Sequence, residues 1–438
     1  MLTVRKKLDI RPAYDFTQIA PKERIVFFDI ETTGLSASKS GLYLIGAVDY
    51  AEGCWRLTQW FAESQLEEEA LIRAFSDLLS EKRRAAQKDA GRYARVALLH
   101  FNGDMFDIPF IRRVAGQYYL PDPFTGTVSV DLYKKVKPYK AFLRLSDCRL
   151  KSVERLCGIE REDKYSGGEL IYVYEEYLRL KNLDAGSCEY HGNNLALRDE
   201  LLRTLLLHNE EDLSNLPLIC GVMLYDELFS DQLCLTEAEL VSLPAPAASR
   251  GSASAASCSP VPGSNSGVSS GEISGCAGER RVLDLHYTLP QPLPAPLSFE
   301  DETYVLEAGG ELNLAVSLYE GELKYFFPDH RNYYYLPAED YAVHKSVGEF
   351  VDKKARKQAT ARTCYQKRPG LFLPQPEEIF SPCFYEEYKG ARCYAAYSDG
   401  LLSEKDRLSR YASAVLRHFL GLEKQRQKDG QRRSGDCF

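Results

Sequence analysis

The feature that most constrains the fold is the run Ile25–Leu35, which reads IVFFDIETTGL. A strand that is apolar on both faces is typical of the buried centre of a sheet. Asp29 and Glu31 stand at its end, and because residues i and i+2 of a strand share a face, their side chains point to the same side. Two buried carboxylates repel each other unless a cation lies between them, so the run predicts a divalent-metal site. The alternative is that Asp29 only terminates the strand and Thr33 caps a helix.

A second acidic segment is His100–Arg112, which reads HFNGDMFDIPFIR. Its pattern predicts a strand that leads into a helix, with Asp107 in the first helical turn. A carboxylate at this position could be a metal ligand. It could equally do no more than complement the helix dipole.

A third segment, Leu205–Leu216, is predicted to be helical. His208 and Asp212 are four residues apart and therefore share a helical face. Histidine and acids on a helix are also typical of a solvated surface, and we expect Glu210 and Glu211 to form such a surface.

The order of predicted elements indicates an α/β fold. Three strands in a meander are followed by helix, strand, helix, strand and several helices, which is the order of a mixed five-stranded sheet flanked by helices. The predicted strands are Arg24–Ile30, Gly41–Tyr50, Cys54–Phe61, Ala94–Phe101 and Val128–Asp131, and the predicted helices are Leu66–Ser80, Phe106–Ala115, Leu150–Cys157, Leu170–Leu180 and Leu195–Leu216.

The 438-residue chain also contains a stretch of Ala, Ser, Gly and Pro, from Pro244 to Gly275, that cannot bury a core. It predicts a first domain over 1–235, a flexible linker over 236–280 and a second domain over 281–438. The second domain is predicted to be β-rich, with short strands from Thr303 to Leu336. It is expected to end in an amphipathic helix, Glu404–Leu420, and a charged, disordered tail.

Together the three acidic segments resemble the motifs of the DEDD exonuclease superfamily, which has a ribonuclease H-like fold. Within it the chain resembles the bacterial YprB ribonuclease H-like family, and two further segments support this, LKSVERLCGI at 150–159 and SGGEL at 166–170. The resemblance covers residues 22 to 225. It implies a nuclease that hydrolyses phosphodiester bonds, most typically a 3′→5′ exonuclease on DNA or RNA.

The resemblance also implies a site with two Mg²⁺ or Mn²⁺ ions. Oxygen ligands favour such hard cations. The implied metal ligands are Asp29, Glu31, Asp107 and Asp212, and the residues that would line the terminal nucleotide are Leu35, Asn102 and Phe106.

His208 departs from the superfamily pattern. Members place either a tyrosine four residues before the last aspartate or a histidine five before it, whereas here a histidine stands at the tyrosine spacing. One residue of shift turns a side chain by about 100° around a helix. His208 could therefore be a general base that orients water, or it could only support the metal site.

Two other functions stay open at this point. One is a non-catalytic nucleic-acid-binding protein that keeps the fold, against which the presence of all four acids argues. The other is a transposase-like or resolvase-like, structure-specific endonuclease.

A basic run at 344–368 is either a nucleic-acid surface or a solvated face.

The composition says more about the cellular compartment of the protein than about its binding partner. A net charge of −8 argues neither for nor against a nucleic-acid partner, because a metal site contributes acidic residues of its own. The twelve cysteines are scattered without a Cys-x-x-Cys pair, which indicates free thiols. The chain opens without an apolar leader and has no long apolar run, so we expect a cytoplasmic protein without a membrane partner.

Overall fold

The structure is a computed structural model, and it describes residues 1–91, 93–184, 192–244 and 279–435. It divides into two compact units. Unit 1 comprises Met1–Leu228, Gln291–Pro296 and Phe419–Phe438, and unit 2 comprises Phe229–Pro290 and Leu297–His418.

Unit 1 is built on a mixed six-stranded sheet with the order β1-β4-β3-β2-β5-β6. The strands β5 and β6 run parallel to β2, and the other neighbours are antiparallel. This arrangement confirms the predicted ribonuclease H-like fold class. The strands are β1 (Leu2–Leu8), β2 (Ile25–Thr32), β3 (Leu42–Ala51), β4 (Cys54–Phe61), β5 (Val96–His100) and β6 (Thr127–Asp131).

The prediction of five strands is wrong by one, because Leu2–Leu8 adds an edge strand. It pairs with Trp55–Phe61 of β4 along its whole length. Charged side chains are well suited to an exposed edge, where they discourage pairing with other chains. The same Arg and Lys residues weaken the apolar alternation by which a strand is recognised in a sequence.

The helices of unit 1 surround this sheet and agree in order with the prediction. The first of them ends ten residues later than predicted, at Ala90, where Gly91 follows with a positive φ of 87°. The helices are α1 (Glu68–Ala90), α2 (Asp107–Gln117), α3 (Leu132–Val136), α4 (Leu150–Leu156), α5 (Gly167–Asp184), α6 (Gly192–Ile219) and α7 (Leu224–Glu227).

Strand β2 divides its side chains between two faces. Phe28 stacks on Phe75 of α1 with ring centroids 5.4 Å apart, within the main core of the unit. Asp29 lies on the opposite face, where it accepts a hydrogen bond from Asn209 of α6. The period of two in a strand thus directs apolar residues to the α1 side and the acids to the α6 side.

Gly46 of β3 allows α6 to lie close against the sheet. A Cβ atom at this position would come within 2.1 Å of Asn209 Oδ1 and 2.3 Å of Leu213 Cδ1. Gly46 is the register partner of Asp29. A side chain here would therefore separate α6 from the acidic end of β2.

Unit 2 contains three antiparallel sheets, with orders β7-β8-β11-β10-β9, β12-β16-β18-β17 and β14-β13-β15. The β-rich prediction is confirmed. The strands are β7 (Cys234–Pro244), β8 (Glu279–Thr288), β9 (Leu297–Glu300), β10 (Tyr304–Ala308), β11 (Glu311–Ser317), β12 (Tyr319–Phe326), β13 (Tyr333–Leu336), β14 (Tyr341–His344), β15 (Lys357–Gln358), β16 (Tyr365–Gln375), β17 (Cys383–Phe384) and β18 (Cys393–Ala396), with helix α8 (Lys345–Gly348). Helix α9 (Lys405–Gly435) begins in unit 2, and its residues from Phe419 onward belong to unit 1.

Two predictions about irregular segments need correction. The linker predicted over 236–280 is wrong at both ends, because β7 and β8 pair with each other there. Residues 245–278 lie outside the described residues. The charged tail was predicted to be disordered, but α9 continues to Gly435, and Arg426 pairs with a buried Glu423 at 2.7 Å. Such pairs three residues apart stabilise a helix.

Within the described residues, eight cysteines are free thiols, which agrees with the prediction. Across the described helices, none combines the length and the apolar character that a membrane crossing needs.

We predict that Gly46→Ala destabilises unit 1 by about 1–3 kcal/mol, because the added methyl group would overlap Asn209 and Leu213. Chemical unfolding measures the difference. Gly116→Ala is the matched control, since a Cβ on Gly116 has nothing within 4 Å. An unchanged unfolding midpoint for Gly46→Ala would show that α6 does not need this close approach.

Candidate active site

The acids at the end of β2 share one face, as the sequence predicts. Asn209 Nδ2 donates to Asp29 Oδ2 at 3.0 Å, and Gln59 Nε2 donates to Asn209 Oδ1 at 3.0 Å, which fixes the amide so that its NH₂ group faces Asp29. Burial, and next the charges of the other acids, raise the pKa of Asp29 and of Glu31 well above the ordinary values. The pair is therefore a site of strong negative potential.

Asp107 belongs to the same group of acids. It is buried at the N-terminus of α2, where the helix dipole favours a carboxylate. Gly103 leaves room for it, since a Cβ there would lie 3.0 Å from Asp107 Oδ2. Burial, and to a lesser extent the charges of Asp131 and Asp212, raise the pKa of Asp107 to about 7, although hydrogen bonds with the backbone of Asp107 itself and of Ile30 lower it.

Helix α6 supplies the remaining predicted residues. His208 Nε2 lies 3.7 Å from Glu31 Oε1 and 3.8 Å from Asp212 Oδ2. Within the described residues these three side chains form a group whose donor atoms lie within 4.8 Å of one another. The structure thus places a histidine among the acids that were predicted to hold metal, whereas Asp29 and Asp107 lie outside this group of three.

Asp163 fixes the orientation of the His208 ring. Its Oδ2 lies 2.7 Å from His208 Nδ1, and Lys151 Nζ lies 2.9 Å from the same oxygen. Although burial alone would raise it, the pKa of Asp163 is lowered by Lys151 and His208. An ionised carboxylate only accepts hydrogen bonds, so Nδ1 donates, and in a neutral ring Nε2 presents its lone pair to Glu31 and Asp212.

A buried guanidinium lies beside the acids. Arg161 pairs with both oxygens of Glu154 at 2.5 and 2.6 Å, and its Nη2 lies 2.5 Å from Asp212 Oδ1. Burial opposes the charge of Arg161, but Glu154 and Asp212 raise its pKa above the ordinary value. Asn215 Nδ2 also donates to Glu154, at 3.1 Å. Arg161 is therefore held rigidly and compensates part of the negative charge.

The loop that carries Arg161 is attached to α6 by a residue predicted to be solvated. The carboxylate of Glu211 accepts from the backbone N–H groups of Glu162 and Asp163 at 2.8 and 2.9 Å. Glu210 pairs with Lys6. The prediction that these two glutamates form only a solvated surface is wrong, because both are half-buried and engaged.

The predicted nucleotide-lining residues differ in accessibility. Leu35 is 90% exposed, so its side chain is available for contact. Phe106 is partly buried and packs against Phe110, with ring centroids 5.7 Å apart. Asn102 adopts a left-handed backbone, and its N–H donates to Asp131 Oδ1 at 2.8 Å. The substrate roles of these three residues stay predictions.

The basic run at 344–368 is not one helix. It passes through α8, a loop with Phe350 91% exposed, and β15. Some of its cations have internal partners: Arg356 lies 4.5 Å above the ring of Tyr334, and Lys367 pairs with Asp340 at 2.6 Å. A role for this run in nucleic-acid binding stays a prediction.

Four residues of the site were missed by sequence reasoning. Asn209 stands four residues from both Leu205 and Leu213, which are buried, so helical spacing could have placed it toward the sheet. Arg161 and Asp163 lie in an aperiodic loop, between the segments 150–159 and 166–170. Gln59 gave no signal beyond its place in a strand.

The donor set fits a hard divalent cation. Four carboxylates and one imidazole converge here, and burial makes three of the acids, Asp29, Glu31 and Asp107, unfavourable as free anions. Arg161 reduces the negative charge, yet it approaches only Asp212 among the four predicted ligands. The other three have no comparable cationic partner within the part of the chain that is described.

We predict that the chelator-treated protein loses stability as pH rises through about 7, and that Asp107→Asn reduces this loss. A carboxyl group whose pKa is raised on folding contributes full stability below its unfolded value, near 3.8, and loses it as pH rises through the folded value. Thermal unfolding in EDTA at pH 5 and pH 8 measures the effect. Asp89→Asn, at an exposed position of α1, is the control. Equal losses in Asp107→Asn and wild type would contradict the argument.

Comparison with known proteins adds distant structural relatives. A family B DNA polymerase from the archaeon Pyrobaculum calidifontis is 15% identical with a TM-score of 0.33, and the match covers 47% of this chain and 25% of the polymerase. Exonuclease I of E. coli in complex with a dA16 oligonucleotide is 14% identical with a TM-score of 0.24, over 65% of this chain and 54% of that chain. This chain thus spans a quarter of the polymerase and about half of exonuclease I.

No match was found among the curated proteins. The family comparison matches residues 26–224 to the RNase_H_2 family, described as part of the RNase_H superfamily. This range contains all four predicted metal ligands and His208. Residues 26–224 are therefore similar to the ribonuclease H superfamily.

Proposed function

We propose that the protein is a divalent-metal-dependent nuclease that hydrolyses phosphodiester bonds of DNA or RNA, as a 3′→5′ exonuclease. The observation that carries the proposal is the convergence of Asp29, Glu31, Asp107 and Asp212 with His208 at the end of β2. Burying these acids together costs stability, and cation binding is the chemistry that offsets such a cost. The polarity of degradation follows from the DEDD resemblance.

The four acids would hold two Mg²⁺ or Mn²⁺ ions. When bound, such ions clamp the phosphate, lower the pKa of an attacking water and stabilise the leaving oxygen. Asn209 keeps the carboxylate of Asp29 in one orientation, since it donates to only one of its oxygens. Arg161 does the same for Asp212.

His208 would act on the attacking water. Its Nε2 faces Glu31 and Asp212, so a lone pair is available there to accept a proton, while Asp163 holds Nδ1. The same orientation also suits a ligand role for Nε2. Leu35, Asn102 and Phe106 would contact the terminal nucleotide.

The two other functions differ from this proposal in what they require. A non-catalytic binding protein gains nothing from such a group of carboxylates, because ionised carboxylates repel a phosphate backbone. An endonuclease would use the same acids, and only the products distinguish it. Both are therefore addressed by following the ends of a labelled substrate.

We predict that the protein shortens 5′-labelled oligonucleotides stepwise with Mn²⁺ or Mg²⁺, and that Asp29→Asn or Asp212→Asn abolishes the cleavage. Loss of either carboxylate removes a negative charge that would hold the ions. Denaturing gels with DNA and RNA substrates, with and without chelator, measure the products. Asp89→Asn is the control. Near-normal turnover of Asp29→Asn at saturating Mn²⁺ would overturn the site, and internal fragments as first products would favour the endonuclease.

We also predict that Asp163→Asn slows cleavage by about tenfold to a hundredfold, because an asparagine amide cannot hold the Nδ1 proton as a carboxylate does. His208→Phe should slow cleavage at least as much. Single-turnover rates at a saturating metal concentration compare the two variants. A wild-type rate in Asp163→Asn together with a slow His208→Phe would show that His208 acts without this orientation.

A further inference from the structure

A cavity of about 630 Å³ opens beside the candidate active site. Its lining includes His208 and Asp212, so it is continuous with the acids described above. The rest of its lining comes from the segments 147–155 and 164–167, at α4 and at the start of α5. A molecule in this cavity would therefore reach the active site directly.

The cavity lining carries a net positive charge, whereas the whole chain carries a net negative charge. The protein carries 63 acidic and 55 basic side chains, but the cavity lining contains four basic residues against two acidic ones. The basic ones are Arg149, Lys151, Arg155 and Lys164, and the acidic ones are Asp147 and Asp212. A local excess of cations next to a phosphodiester-cleaving site favours an anionic ligand.

Two of these basic side chains already bind other groups of the protein. Lys151 pairs with Asp163 at 2.9 Å and donates to the carbonyl oxygen of Tyr165 at 2.6 Å. Arg155 donates to the Lys151 carbonyl oxygen and to Ser152 Oγ, both at 3.2 Å. They keep the wall of the cavity in place.

The other two basic residues extend into solvent. The Arg149 side chain is 87% exposed and approaches Asp147 only at 4.0 Å. Lys164 is exposed as well. A contact at that distance between exposed groups is weak, so Arg149 remains able to bind another anion.

We propose that this cavity binds the substrate strand next to the cleaved end, with Arg149 and Lys164 on its phosphates. Tyr165 also lines the cavity, and its side chain is 44% exposed. An exposed aromatic ring in the same cavity as these cations offers a stacking surface for a base, and only an unpaired base presents its face. The inference rests on the proposed nuclease function and deepens it, since it assigns an unpaired strand to this side of the site.

The test is the double variant Arg149→Gln/Lys164→Gln in the full-length protein. Binding of labelled single-stranded DNA and RNA is measured by fluorescence anisotropy in EDTA over a range of salt concentrations, and KM is measured with Mn²⁺. We expect the slope of log affinity against log salt to become shallower by about 1.4, since each phosphate contact on a single strand contributes about 0.7. KM should rise by more than kcat falls.

Arg84→Gln/Lys88→Gln is the matched control, because it removes two cations from an exposed part of α1 that does not line the cavity. Tyr165→Ala should weaken single-strand binding about fivefold or more, and Tyr165→Phe should restore it, since stacking needs only the ring. Blunt duplexes should respond less to either tyrosine variant.

The outcomes separate this inference from the proposed function. If wild type cleaves but the cavity variants bind with the same affinity and salt slope as the control, the cavity does not hold the strand and the nuclease proposal stands. If wild type does not cleave but the cavity variants lose single-strand affinity, the nuclease proposal fails and the binding site stands. A change as large in the Arg84/Lys88 control would reduce the effect to overall charge and overturn the inference.

Discussion

Four carboxylates meet at one end of the central sheet, two of them buried and two half-buried, and the residues around them have to offset their mutual repulsion. The raised pKa values of Asp29, Glu31 and Asp107 express the same physical fact, that the anionic forms are unfavourable where they stand. Three of the four acids have a partly compensating group nearby. Asn209 donates to Asp29, the N-terminus of α2 faces Asp107, and Arg161 pairs with Asp212. Since these groups are dipoles and one cation, they leave a net negative charge that suits divalent ions.

Helix α6 is the element that brings Asn209, His208 and Asp212 to the sheet. One face carries Asn209 and Leu213 against β3, where Gly46 leaves the space. The neighbouring face presents His208 and Asp212 to Glu31. Because the two faces belong to one rigid helix, its close contact with the sheet also sets the distances within the active site. Packing and chemistry thus depend on the same glycine.

Some parts of the fold and of the site could be predicted from the sequence, and others could not. The central strand, its two acids and the helical pair His208 and Asp212 could be predicted because strand and helix periods fix which side chains share a face. The edge strand Leu2–Leu8 could not, since charged residues at an edge erase the apolar alternation. Arg161 and Asp163 could not either. Their loop has no hydrophobic periodicity from which its position could be predicted. Only the folded chain shows that Glu211 and Lys151 hold this loop against α6.

The unusual spacing of the histidine has a physical explanation in that loop. At four residues before Asp212, His208 lies on the same helical face as the acid and close to Glu31. On the helix alone, an imidazole at this position could turn away from the acids. Asp163 prevents this by holding Nδ1 at 2.7 Å, and Lys151 in turn holds Asp163. The loop therefore supplies an orientation that the helix alone does not impose. A fifth carboxylate, Asp163, which is not one of the four predicted ligands, thus determines which nitrogen of His208 faces the acids.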